Sequence, residues 1–82
     1  MTKAVQLSPT AHEWLRRHQF LSEEVILSVV LHCPTNERKY TDSNHFQIDF
    51  RRRKDGGFVK ITIWVHDRAT EYYVGKMHSQ RT

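Results

Sequence analysis

Rings and cations alternate along two stretches of this chain. Arg51, Arg53 and Lys60 carry charge on a stretch shared with Phe58 and Trp64, and Tyr73, His78 and Arg81 repeat the mixture near the C-terminus. Cations hold phosphates and flat rings stack on bases, so these are the groups that contact single-stranded RNA. They also suffice for metal-free RNA cleavage, which needs a base for the 2′-hydroxyl, an acid for the leaving oxygen and cations on the phosphate. His78 or Tyr73 could move the proton. Arg51, Lys60 or Arg81 could hold the phosphate. The plainer reading is a solvated sheet face, with Trp64 and Tyr73 covered by a partner chain or by residues 1–7.

Other chemistries lack their residues. The six histidines are scattered, with no HExxH or finger spacing, and Cys33 has no partner cysteine, so no metal site is expected. No GxSxG marks a nucleophile elbow, and Gly56-Gly57 does not lead into a helix as a phosphate loop must. No organic cofactor is expected.

The elements that position these groups can be read from periodicity. Ser8-Pro9 opens a first helix over roughly 9–18, with Thr10 and Glu13 as a competing capping box. Ala11, Trp14, Leu15 and His18 make its apolar stripe, opposite Glu13, Arg16 and Arg17. Ser22 caps a second helix, with Glu23 and Glu24 in its first turn and Pro34 at its end. Val25, Ile26, Val29, Val30 and Cys33 form the buried stripe, widened by Leu27 and Leu31.

After Pro34 the period becomes two. Glu37 to Thr41 is a weak strand candidate, and His45 to Arg53 alternates cleanly. Asp55-Gly56 predicts a type I′ hairpin, in which paired positions sum to 111. Phe50 then faces Ile61, Ile48 faces Ile63 and Phe46 faces Val65, which leaves Asp49, Arg51, Arg53, Phe58, Lys60, Thr62 and Trp64 on the other side. A last strand spans Glu71 to His78, with Tyr72 and Val74 inward and Tyr73 outward. Residues 79–82 are expected to be a mobile tail. Residues 1–7 read as an arm or an edge strand. The expected fold is α+β, one domain over 1–82, with two N-terminal helices on one face of a three- or four-stranded antiparallel meander.

Composition agrees with a small core. Apolar residues are 38% of 82, which excludes a disordered tail, and no run approaches a membrane span. The net charge of +4 and pI near 9.6 suit an anionic partner. A lone cysteine and no visible secretory leader fit a cytoplasmic protein.

Several strings point to a family. They are Thr10-Ala11-His12-Glu13-Trp14-Leu15-Arg16-Arg17, Leu21-Ser22-Glu23-Glu24-Val25, Pro34, and Val74-Gly75-Lys76-Met77-His78-Ser79. Together they resemble the RelE/ParE-like superfamily of small bacterial and archaeal toxins, closest to its small domains that open with a His-containing first helix. The resemblance implies RNA cleavage without a metal or cofactor and an antitoxin partner. It points to Arg51, Lys60, Tyr73 and His78 as counterparts of the family's catalytic cluster, and leaves His12 beside Arg17 without a stated role. The alternative is a non-catalytic interaction module or homodimer. If the strand parity is right, Ile61→Ala or Ile63→Ala costs about 2–5 kcal/mol in denaturant titrations, and a loss below about 1 kcal/mol would show the opposite parity.

Overall fold

Local signals start both helices where they stand. The computed structural model describes residues 3–81. Strand β1 (Ala4–Leu7) runs into α1 (Pro9–Arg17), whose N-cap is Ser8 with proline at the first helical position. Thr10 lies inside this helix, so the competing capping box is not used. His18 closes α1 as its C-cap, its N–H donating to Leu15 O. The ring of Trp14 stacks on that of His18 with centroids 4.0 Å apart. Helix α2 (Glu23–His32) is capped by the Ser22 hydroxyl, which accepts from Val25 N. Ile26 and Val30 are fully buried, and Val25, Val29 and Cys33 pack at their edges. Leu27 and Leu31 stay half-buried and do not join that cluster, so the buried stripe is narrower than expected.

A short 3-10 turn (Thr35–Glu37) leads to β2 (Lys39–Tyr40), β3 (His45–Lys54), β4 (Gly57–Asp67) and β5 (Glu71–Arg81). The sheet order is β1-β5-β4-β3-β2. The architecture is α+β as expected, but the sheet has five strands and is mixed. It is not an antiparallel meander, because β1 runs parallel to β5. Val5 and Leu7 explain that addition: they lie level with Tyr72 and Val74 and extend the apolar face by one strand.

The β3–β4 register is the one the hairpin arithmetic requires, from His45↔His66 to Lys54↔Gly57. Asp55 at φ 50° and Gly56 at φ 77° make the turn, which is the left-handed geometry this dipeptide tolerates. Phe46, Ile48, Ile61, Ile63 and Val65 are buried on one face with Ala11, Ile26 and Val30 from the helices. Strand β2 is only two residues long and covers Gln47 and Phe46, so β3 beyond them is an open edge among the described residues.

The C-terminal segment is a correction. Residues 79–81, expected as a tail, are strand, with Ser79, Gln80 and Arg81 level with Ile61, Lys60 and Val59. Residue 82 lies outside the described residues. Continued pairing with the long β4 satisfies backbone groups that a frayed tail would leave to water.

Strand β5 also carries a bulge. Val65 is level with Val74 but Trp64 with Lys76, so Gly75 is the extra residue. Its carbonyl accepts from the Ser8 hydroxyl at 2.6 Å, while Ser8 N donates to Val74 O at 2.9 Å. Ser8 is buried and also caps α1 by accepting from Ala11 N at 3.1 Å. Ser8→Ala is therefore expected to cost about 1–3 kcal/mol in urea unfolding, because it removes a cap and leaves a part-buried carbonyl unpaired.

Candidate functional site

The face of the sheet away from the helices gathers side chains in rows. Tyr73 stands level with His66 and His45, Lys76 with Trp64 and Gln47, His78 with Thr62 and Asp49, and Gln80 with Lys60 and Arg51. Arg53 and Phe58 make the last row, beside the hairpin turn. The bulge decides two of these places. Strict alternation from Tyr72 and Val74 would turn Lys76 and His78 toward the core. The extra residue at Gly75 reverses the parity, so Met77 is buried and Lys76 and His78 are exposed.

The charges on this face are unbalanced. Arg51 and Lys60 are directly opposite each other, and neither has an ion pair or hydrogen bond among the described residues. Like charges opposed across a strand pair destabilise a sheet. The neighbouring acid cannot offset them, because Asp49 is already engaged by Lys39 Nζ at 2.8 Å, Thr62 Oγ1 at 2.7 Å and the Gln47 amide at 3.3 Å. Burial alone would raise the Asp49 pKa, but those donors outweigh it and hold the carboxyl below its ordinary value. The rings stand beside the charges. Lys76 Nζ lies 4.7 Å from the Trp64 ring centre, and the Arg53 guanidinium lies 6.0 Å from that of Phe58, which is 52% exposed.

One corner holds a group that the charge-and-ring reading passed over. The imidazoles of His45 and His66 stack with centroids 4.3 Å apart and planes 14° from parallel. His45 Nδ1 is 3.0 Å from the Asp42 carboxylate, and Arg68 Nε is 3.3 Å from His66 Nδ1. Arg68 also pairs with Glu71 at 3.0 Å and sits 4.2 Å from the Tyr73 ring centre. His45, His66, Arg68 and Tyr73, with Thr41, Trp64 and Gly75, line an open cavity of about 380 Å³. The turns that carry Asp42 and Arg68 are joined by Asp67 N donating to Asn44 O, and Asp67 is held in turn by Lys3. The pairing was available in the sequence, since 45 and 66 satisfy the same hairpin sum that placed the apolar pairs.

No known family model, curated protein or solved structure matches the chain. The sheet brings Arg51, Arg53, Phe58, Lys60, Trp64 and His78 onto one face. Tyr73 shares that face but is level with His66, six residues along β4 from Lys60, or about 20 Å at the rise of a strand. The trio Lys60, Tyr73 and His78 therefore does not form one cluster. Arg81 is level with Val59, whose side chain is buried on the helix side, so its register puts it on the opposite face from the other cations. His12 is exposed on α1, remote from these rows. No group of metal-ligating side chains occurs among the described residues, and no helix there is long and apolar enough to cross a membrane.

Asp49 gives this face a pH dependence. Its carboxyl is held below the unfolded value of about 3.9, so the stability it contributes is fully present above that pH and is lost as pH falls through the lower, folded value. Asp49→Asn is expected to cost about 1–3 kcal/mol at neutral pH. The gap between parent and variant in urea titrations should close below about pH 4.

Proposed function

We propose that the outer sheet face binds single-stranded RNA. The observation that carries this is the opposition of Arg51 and Lys60 with no acid on either. A fold that keeps two cations face to face gives up stability unless an anion joins them, and a phosphate placed between them would remove the repulsion. Phe58 at one end of the face and Trp64 nearer the other supply stacking surfaces, and Arg53, Lys39, Lys76 and His78 extend the polar track. A run of phosphates with unstacked bases fits this alternation better than a folded protein surface would.

The resemblance to RelE/ParE-like toxins adds to this reading. On that resemblance the chain is read as the RNA-directed half of a toxin–antitoxin pair. A second reading is supported by the exposed ring of Phe58 and the half-exposed ring of Trp64, since aromatic side chains anchor protein interfaces. In it the same face docks a protein partner or a second copy.

The two readings differ in their salt response. Fluorescence anisotropy of a labelled single-stranded RNA should show affinity falling steeply with salt, by about 0.7 in log–log slope for each phosphate contact. Arg51→Ala combined with Lys60→Ala should lower that slope by about 1.4 and weaken binding about tenfold or more. Salt-independent binding, or an unchanged slope in the double variant, would overturn the RNA reading. A concentration-dependent dimer in light scattering would then favour the second.

A further inference from the structure

We infer that the cavity at the His45–His66 corner takes up one unpaired nucleobase and holds it by its Watson–Crick edge, an inference that rests on the RNA reading of the adjoining face for what carries the base. The two imidazoles are stacked, and their Nδ1 atoms have partners of opposite character. A carboxylate only accepts, so the neutral His45 ring keeps hydrogen on Nδ1 toward Asp42 and leaves a lone pair on Nε2. A guanidinium only donates, so His66 Nδ1 accepts from Arg68 and His66 Nε2 carries hydrogen. The turns that supply Asp42 and Arg68 meet at one end of the sheet. Both Nε2 atoms therefore stand on the side away from those turns, toward Trp64, which lies two residues back along β4. Neither has a hydrogen-bond partner among the described residues. An acceptor and a donor thus lie side by side at the rim of the cavity.

That pairing selects the occupant. Every nucleobase carries a hydrogen-bond donor next to an acceptor on its Watson–Crick edge, and single-stranded RNA leaves that edge bare. The cavity of about 380 Å³ is of the size that holds a small molecule, and Trp64 and Tyr73 line it with flat apolar surface. A phenyl ring from a protein partner would leave the two nitrogens without partners. A cation would be repelled by Lys76, 4.7 Å from the Trp64 ring centre, and by Arg68, 4.2 Å from that of Tyr73. An isolated anion would meet the lone pair of His45 and an Arg68 already committed to Glu71 and His66.

The corner also continues the path along the sheet. Six residues of β4, or about 20 Å, separate His66 from Lys60. A base in the cavity and a phosphate between Arg51 and Lys60 can therefore belong to one short strand of RNA. The face holds the backbone, and the corner holds a base that no partner strand has claimed.

Adenosine is neutral, so it tests the cavity without the phosphate face. Titrated into the intact isotope-labelled protein, it should shift the NMR signals of the Trp64 indole and of His45 and His66 with one saturable affinity, the same at low and high salt. The 6-dimethylaminopurine riboside keeps the rings but lacks the amine hydrogens, and should bind about tenfold more weakly. His45→Phe keeps the ring stack without the acceptor and should lose affinity for adenosine by a similar factor. Trp64→Ala should lose about tenfold or more. Equal affinity for the two nucleosides, tighter binding of p-cresol, or no shift at the corner overturns the inference. The comparison of nucleosides uses the unaltered chain, so it decides even where a variant fails to fold. An RNA oligonucleotide reads the face separately through its salt dependence. Adenosine at the corner with salt-independent oligonucleotide binding upholds the cavity and overturns the face. Salt-dependent oligonucleotide binding without a shift from adenosine overturns the cavity and leaves the face standing. Binding of neither overturns both.

Discussion

The Ser8 hydroxyl is buried and bonded on both sides. It accepts from the first turn of α1 and donates to the carbonyl of Gly75, the extra residue in β5. One oxygen therefore fixes where the edge strand ends, where the helix begins and where β5 kinks. The kink has the wider effect. Upstream of Gly75 the inward residues of β5 are Tyr72 and Val74, and downstream the inward residue is Met77. Without the bulge, Met77 would face water and Lys76 and His78 would face Ile61 and Ile63. The apolar continuity of the core and the cationic character of the opposite face both depend on that one-residue offset.

The outer face is organised by unequal distribution of its acids. Asp49 is bonded to Lys39, Thr62 and Gln47, while Arg51 and Lys60 are left to each other. At the far corner Glu71 is bound to Arg68, and Asp42 to His45 and the backbone N–H of Asn44. The carboxylates thus act as fixed supports for particular side chains and do not neutralise the strip between them. Arg38 stacks 4.8 Å from the Phe46 ring centre and 5.1 Å from that of Tyr72, and reaches the hydroxyls of Tyr40 and Tyr72. That arrangement closes the end of the core beneath the two turns that frame the histidines.

Legibility followed the range of the interaction. The caps at Ser8 and Ser22 and the Asp55-Gly56 turn are set by neighbouring residues, and all three formed where the sequence placed them. The hairpin register followed from the turn, and with it the shared face of Arg51, Lys60 and Trp64. What failed was long-range or depended on a single residue. The parallel pairing of β1 with β5 joins segments more than sixty residues apart, and nothing in Ala4–Leu7 announces a parallel partner. The bulge left only a glycine as its mark. Extension of β5 to Arg81 is decided by the length of β4 opposite, not by the polar residues of the segment itself. The stacked histidines were missed because the register was applied to apolar pairs alone.

The exposed margin of β3 has a consequence for how the chain behaves in a crowded solution. Past the two positions covered by β2, its backbone donors and acceptors are open to any extended peptide. Such a margin invites template-driven stacking of one molecule on the next, the route by which sheets grow into fibres. Here the stretch ends in Arg51-Arg52-Arg53-Lys54, all exposed or half-exposed. A second copy approaching along that margin would bring four positive charges against four, and that repulsion opposes edge-to-edge stacking.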